Sequence, residues 1–145
     1  MSDEKVYSDY ERTRTSYRPA IRGRKHMVVS GHNLASQSAM RILDNGGNAV
    51  DAGVAAGLCL AVLQSDMVNF AGVAPMMIHI AKTGTTTTID GLGVWPQRAS
   101  VAFFKEHHDG KIPDGIHRCI VPGSPYAWIT ALEKYGTMSF AEVCA

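Results

Sequence analysis

The sequence predicts an α+β fold, in which several helices accompany a two-stranded β-hairpin. The apolar run from Ala52 to Leu63 has no polar side, which is typical of a helix buried all round. The hairpin is predicted by the alternating pattern of residues 75–82, a turn at Thr83-Gly84 and the threonine-rich run 85–90. Threonine suits a strand because β-branched side chains pack well on a pleated surface.

The composition is that of an ordinary soluble globular protein. The chain has 145 residues, of which 46% are hydrophobic and 19% charged, with a formal net charge of +1. A nearly neutral chain lacks the basic excess of a nucleic-acid-binding protein, so no nucleic-acid partner is expected. The run Ala52–Leu63 is shorter than the roughly 20 residues that a membrane-spanning helix needs, so no membrane span is expected either.

Residues 1–25 are predicted to form a polar N-terminal arm. They hold half of the 14 lysines and arginines, mixed with acidic residues and without apolar periodicity. They also lack the apolar core of a secretory signal. A cytoplasmic location is therefore expected. The three cysteines are widely spaced without a CxxC pair, which favours reduced thiols: Cys59, Cys119 and Cys144.

The segment before the hairpin predicts a strand and two helices. Met27–Ser30 is a short apolar run typical of a buried strand. Residues 34–43 have helical spacing, with Asn33 as the predicted N-cap and Gly46-Gly47 as the stop.

A second helix is predicted to start at Asn48, which can cap its free amides. Asp51 would lie in its first turn, where a negative charge complements the helix dipole. Gly53 and Gly57 lie one turn apart and would let another element approach the helix backbone closely.

Beyond the hairpin, the sequence predicts three helices and one strand. Ser100 would cap a short helix through His107, a strand would cover Ile116–Val121, and a helix from Ser124-Pro125 would run to Tyr135. Ser139 and Glu142 have the spacing of a capping box. Since that last helix has barely begun when the sequence stops, the chain is expected to be one portion of a longer protein.

No self-contained active site is visible in the sequence. GxSxG, Walker, HExxH and GxGxxG motifs are absent. His32 follows the predicted strand and is interpreted as a capping or packing histidine, and residues 85–88 are interpreted as a plain strand without a base for a nucleophile. One group of possible metal ligands has no standard zinc spacing and is interpreted as a solvated loop: His107, His108, Asp109, Asp114, His117 and Cys119.

The ordered segments nevertheless resemble a known family. The runs 30–36 and 42–52, above all Gly46-Gly47-Asn48-Ala49-Val50-Asp51-Ala52, are similar to the N-terminal part of the γ-glutamyltransferase-like enzymes. The similarity covers about 120 of the 145 residues and continues through Thr83-Gly84, Asp90, Val121-Pro122-Gly123 and Tyr135-Gly136.

The resemblance implies that residues 26–145 are the N-terminal portion of a large subunit. Its fold would be part of a four-layer αββα sandwich, that of the N-terminal nucleophile hydrolases, in which a precursor cleaves itself into large and small subunits. The catalytic threonine begins the small subunit, so no catalytic residue is expected in this chain. The expected partners are the rest of the large subunit and the small subunit, as a heterodimer or heterotetramer, and a small-molecule amide substrate. Neither a cofactor nor a metal is implied.

Two departures from the family bear on the substrate. In the γ-glutamyl transferases an arginine stands two residues after the position of Asp90 and pairs with the substrate's α-carboxylate; here that place is held by Leu92. Leucine cannot form charged, bidentate hydrogen bonds. The glycine-rich stretch of the family appears here as residues 68–75, with Gly72 kept and apolar residues around it.

The resemblance with these departures predicts an amide hydrolase or acyltransferase that acts on a non-glutamyl amide. Asp90, Leu92 and Trp95 are the expected substrate-binding residues, with Leu92 and Trp95 in a specificity role. Two alternatives stay open, a true γ-glutamyl transferase or hydrolase and a non-catalytic scaffold subunit of the same fold.

Overall fold

A computed structural model describes residues 21–145, so that most of the predicted arm over 1–25 lies outside the described residues. The described chain is α+β, as predicted. Its elements are α1 (Asn33–Asp44), α2 (Ala49–Leu63), β1 (Met76–Ile80), β2 (Thr85–Ile89), α3 (Val101–His108), a 3₁₀ turn (Ile116–Arg118), α4 (Ser124–Tyr135) and α5 (Phe140–Cys144). Within this part of the chain, every helix is too short or too polar to cross a bilayer. Cys59, Cys119 and Cys144 are free thiols.

The predicted strand at Met27–Ser30 is wrong. These residues have no regular structure, and the side chain of Val29 is 88% exposed. A strand needs a neighbour to satisfy its backbone groups, and in residues 21–145 the only sheet is the β1–β2 hairpin. The helix that follows begins one residue earlier than predicted, because the His32 ring nitrogen Nδ1 accepts the Leu34 N–H at 3.2 Å. His32 is therefore a capping residue, as expected.

The start of α2 is confirmed in detail as a reciprocal cap. Asn48 Oδ1 accepts the N–H groups of Val50 at 2.7 Å and Asp51 at 3.1 Å, while the Asp51 carboxylate accepts the Asn48 N–H at 2.7 Å. The Asn48 side-chain amide also donates to the Tyr135 carbonyl at 2.6 Å. One residue thus starts α2 and fixes the end of α4 beside it.

The prediction that α2 is buried all round is wrong. Its first two turns are buried on the side facing α1, α4 and α5, whereas Gly53 is exposed and Val62 is 81% exposed. The described chain has too few elements to surround the helix. Gly57 does allow a close approach, because a Cβ there would lie 3.1 Å from Nε1 of Trp128; a Cβ on Gly53 would meet nothing within 4 Å.

The hairpin is confirmed, with antiparallel pairing from Met76↔Ile89 to Ile80↔Thr85. Met76, Ile78 and Ile89 are partly buried against the main core. That core is formed by α2, α4 and α5 through Val54, Ala55, Trp128, Ala131, Leu132 and Val143.

The predicted strand Ile116–Val121 is also wrong. The segment forms a 3₁₀ turn and then a single bridge between Val121 and Val94. A loop rather than a strand lies beside it, so a ladder cannot extend. The three neighbouring helices are confirmed, with Ser100 as the N-cap of α3 and the Ser139–Glu142 capping box at α5. α4 starts at Ser124, but its N-cap is Gly123.

Asp51 joins three elements through its fully buried carboxylate. Oδ1 accepts the N–H groups of Thr137 at 3.0 Å and Met138 at 3.2 Å, and Oδ2 accepts the Thr137 hydroxyl at 2.6 Å and the Asn48 N–H at 2.7 Å. Burial acts to raise the pKa of Asp51, but these hydrogen bonds outweigh it and hold the pKa below its ordinary value of 3.8. The start of α2 and the α4–α5 link are therefore held by one ionised group.

We expect Asp51→Asn to lower the free energy of unfolding by at least about 2 kcal/mol. The asparagine side chain replaces one accepting oxygen by an NH₂ group, which is itself a donor and would face N–H and O–H donors. Urea unfolding at pH 7 measures this. Glu142→Gln is the matched control, since it makes the same chemical change in the exposed capping box of α5, and it should cost less. Equal losses in the two variants would contradict the role given to Asp51.

The lowered pKa of Asp51 also predicts a pH dependence. Its contribution to stability is fully present above the unfolded carboxyl pKa of 3.8 and is lost as the pH falls through the lower folded pKa. Between pH 5 and pH 2, the urea midpoint of Asp51→Asn should therefore fall less steeply than that of the wild type. The exposed Asp66→Asn is the control and should follow the wild-type slope. Parallel curves for Asp51→Asn and wild type would rule the effect out.

Candidate functional site

Three loop segments converge at the N-terminal end of α4. They are residues 69–75 before β1, residues 90–96 after β2, and residues 121–123. The predicted substrate-binding residues lie in the second segment, so its position decides what they can contact. We call this meeting point the loop junction.

The first turn of α4 holds the segment before β1. The Gly72 carbonyl accepts the N–H groups of Gly123 at 3.1 Å and Ser124 at 3.2 Å, amides that have no partner inside the helix. The Ser124 hydroxyl donates to the Phe70 carbonyl at 2.8 Å and lies 3.3 Å from the Asn69 carbonyl. Ser124 has no exposed surface, so these bonds are shielded from water.

The segment after β2 is held from both sides. On one side the Ala74 N–H donates to the Gly91 carbonyl at 2.9 Å, and on the other the Val121 N–H donates to the Val94 carbonyl at 2.8 Å. Gly91 has φ +58°, and a Cβ there would lie 2.1 Å from the Ala74 carbonyl oxygen. A Cβ on Gly123 would come within 2.5 Å of the Gly91 carbonyl oxygen. Glycine is therefore required for the backbones to approach this closely.

The loop carries all three predicted site residues. Leu92 is 48% exposed, and Asp90 is exposed at the end of β2. Trp95 is 41% exposed and packs edge-to-face on the buried Phe104, with ring centroids 5.6 Å apart. Leu92 and Trp95 thus present apolar surface on one loop that backbone hydrogen bonds hold in place. Their contact with a substrate stays a prediction.

The histidine-rich segment, interpreted from the sequence as a solvated loop, contains an aromatic cluster. His108 and His117 lie with ring centroids 4.9 Å apart, next to Phe103 and Phe104. Across residues 21–145, no three His, Cys, Asp or Glu side chains come together as a metal site would require. Arg118 pairs with Asp114 at 2.7 Å instead. The threonines of β2 form a plain strand.

An apolar groove of about 900 Å³ lies between α2, β1 and α4, and it adjoins the loop junction at Val73, Ala74 and Pro75. Its walls include Gly53, Gly57, Met76 and Trp128. The predicted substrate-binding residues Asp90, Leu92 and Trp95 are not among the residues that line the groove. The groove lies along the side of α2 that was predicted to be covered.

The role of Ser124 was not predicted. The sequence Ser124-Pro125 indicated a cap and the first helical residue, whereas the hydroxyl bonds the preceding loop and leaves the capping position to Gly123. Pro122 and Pro125 on either side show only that the backbone turns here. A contact 54 residues away along the chain leaves no local signal.

Comparison with known proteins assigns the family. Residues 35–145 match the family model described as Gamma-glutamyltranspeptidase. The chain therefore belongs to the gamma-glutamyltranspeptidase family, as the sequence resemblance indicated.

Two curated relatives bear different enzyme names. The chain is 39% identical over 128 residues to a "Glutathione hydrolase-like YwrD proenzyme" of Bacillus subtilis (strain 168), covering 86% of this chain and 24% of the relative. It is 36% identical over 131 residues to an "Acylase ACY 1 proenzyme" of Pseudomonas sp. (strain SE83), covering 83% of this chain and 23% of the relative. The chain spans about a quarter of the length of these relatives.

The fold is shared with a solved structure of the family. The gamma-glutamyltranspeptidase of Helicobacter pylori superimposes with a TM-score of 0.76 at 29% identity, over 87% of this chain and 37% of that chain. The α+β fold is thus that of the family's N-terminal nucleophile hydrolases, to which residues 21–145 contribute helices and one hairpin.

Glycine at position 91 can be tested by stability. Gly91→Ala should lower the free energy of unfolding by about 3 kcal/mol, because it combines an unfavourable positive φ with overpacking against Ala74. Gly84→Ala is a matched control, since its φ is +66° and a Cβ there meets nothing within 4 Å, so only the cost of the positive φ, about 1 kcal/mol, is expected. Urea unfolding measures both values. If the two variants lost the same stability, the close backbone contact at the loop junction would be disproved.

Proposed function

We propose that this chain is the N-terminal part of the large subunit of an autoprocessed amide hydrolase or acyltransferase, and that the assembled enzyme acts on a non-glutamyl amide. The observation that carries the substrate class is Leu92, at the place where the resemblance puts a carboxylate-binding arginine. The membership of the family and the word "proenzyme" in the names of both relatives support the rest.

The surroundings of Leu92 favour an uncharged acyl group. The loop that carries Leu92 is fixed by backbone hydrogen bonds at Gly91 and Val94. Trp95, in the same loop, packs on Phe104. A zwitterionic glutamyl group needs a cation for its carboxylate, and burying that carboxylate beside leucine without one would be unfavourable.

One observation keeps the γ-glutamyl alternative in view. From Asp90 to Ser100 the loop has a single cationic residue, Arg98, in an exposed turn after Pro96. If Arg98 rather than position 92 receives the carboxylate, the enzyme would accept γ-glutamyl amides, and Arg98→Gln would abolish that activity.

The chemistry would be supplied by another segment, as the resemblance implies. The hydroxyl of the N-terminal threonine attacks the amide carbon, its proton passes through the free α-amine to the departing amine, and an ester forms. Water or an acceptor amine then attacks the ester and restores the hydroxyl. The part of this chain would be to form one wall of the pocket that orients the acyl group.

The substrate class is tested with two anilides on the full-length enzyme. γ-Glutamyl-p-nitroanilide carries the zwitterion, whereas butanoyl-p-nitroanilide has the same acyl chain without the α-amino and α-carboxylate groups. We expect a higher kcat/KM for the butanoyl compound, read from the release of p-nitroaniline. A preference for the γ-glutamyl compound would overturn the argument from Leu92.

Restoring the arginine provides a direct test of position 92. Leu92→Arg should raise kcat/KM for the γ-glutamyl anilide relative to the butanoyl anilide by about tenfold or more, since a charge-assisted hydrogen bond is worth about 1.5–3 kcal/mol. Val94→Arg places the same charge in the same loop and should leave the ratio unchanged. An equal shift in both variants would mean that only net charge matters.

The enzyme hypothesis is tested apart from its substrate. Intact mass and N-terminal sequencing of the purified full-length protein should show two polypeptides, the smaller beginning with threonine. A single uncleaved polypeptide without turnover would instead support the scaffold alternative.

A further inference from the structure

Ser124 lies at the centre of the loop junction yet has no part in the reaction outlined above. It is fully buried, and its hydroxyl is bonded to the segment before β1 rather than to its own helix. A buried hydroxyl that only capped a helix would bond the helix amides. What this hydroxyl holds is therefore a neighbouring loop.

The contacts of Ser124 lead to the loop of Leu92 in two steps. Ser124 fixes the carbonyls of Phe70 and Gly72 through its hydroxyl and its N–H group. Two residues after Gly72, the Ala74 N–H is bonded to the Gly91 carbonyl, directly before Leu92. The position of the Leu92 backbone thus depends on the segment that Ser124 holds.

The opposite side of the same loop is set by the residues just before Ser124. Val121 is paired with Val94, and Gly123 packs against the Gly91 and Gly93 backbones. Because Gly123 and Ser124 also share the Gly72 carbonyl, both supports of the loop come from the first turn of α4 and the three residues just before it. Leu92 lies between the two supports.

We propose that Ser124 is a positioning residue for substrate selectivity, which acts by fixing the loop that carries Leu92 and Trp95. The proposal rests on the proposed function in one respect, that this loop contacts the acyl group. Without the hydroxyl, the Phe70 carbonyl loses its donor and the segment before β1 can move relative to Gly91. A displacement of about 1 Å in a substrate-binding loop can lower kcat/KM by up to about 100-fold.

The test uses the full-length enzyme with the same two anilides. Ser124→Ala should raise KM for the preferred anilide by about tenfold and alter the kcat/KM ratio of the pair, while kcat stays close to the wild-type value. Ser124→Thr keeps the hydroxyl and should therefore keep KM and the kcat/KM ratio close to the wild-type values. Ser139→Ala is the matched control, because it removes a serine hydroxyl from the capping box of α5, away from the loop junction.

A merely structural role would give another pattern. Loss of folded enzyme lowers the apparent kcat for both anilides by the same factor and leaves KM and the ratio unchanged. That result in Ser124→Ala, or a ratio shift of equal size in Ser139→Ala, would overturn the proposal. A wild-type preference for the γ-glutamyl anilide would overturn the proposed substrate class alone, since the effect of Ser124 on KM is then measured with that anilide.

Amide hydrogen exchange provides a readout that does not depend on turnover. Ser124→Ala should accelerate exchange at Ala74 and Val121, whose N–H groups hold the loop, relative to wild type and Ser139→Ala. Unchanged exchange at both amides would overturn the proposal even if the enzyme cleaved neither anilide. Faster exchange in such an inactive protein would support the role of Ser124 in fixing the loop and would contradict only the proposed enzyme function.

Discussion

The buried carboxylate of Asp51 is the interaction on which the arrangement of the helices depends. It caps α2 through Asn48 and binds the turn between α4 and α5 through Thr137 and Met138. Asn48 adds a second tie from the same cap to the end of α4. Because the donors converge on one ionised group, these hydrogen bonds hold α2, α4 and α5 relative to one another in addition to the apolar packing of the main core.

The candidate site depends on this frame through α4. Its C-terminal end is held by Asn48 and its middle packs against Gly57 through Trp128. Its N-terminal end then holds the loops around Ser124. Hydrogen bonds at each end of α4 therefore connect the capping box of α2 with the loop that carries Leu92 and Trp95.

Family membership and the departure at Leu92 bear on different questions. The family determines the fold and leads to an expectation of amide chemistry, and the relatives named above include both a glutathione hydrolase-like protein and an acylase. A fold shared by enzymes with different substrates does not select among them. Under the proposed function that choice depends on a few side chains of the substrate pocket, and Leu92 is the one from which a non-glutamyl substrate is inferred.

The sequence alone determined the features that arise from neighbouring residues: the α2 cap, the hairpin with its Thr83-Gly84 turn, the Ser100 cap and the capping box at α5. The resemblance to the family predicted three substrate-binding residues on one loop, and their contact with a substrate stays a prediction. The predictions of strands at Met27–Ser30 and Ile116–Val121 were wrong, since a strand forms only if another strand pairs with it. The prediction that α2 is buried all round was also wrong, because an apolar sequence does not by itself provide an element to cover the helix. Only the tertiary structure decided that Ser124 holds the segment before β1 and that Gly91 must be glycine, because both depend on backbone groups distant in sequence that folding brings within hydrogen-bonding distance.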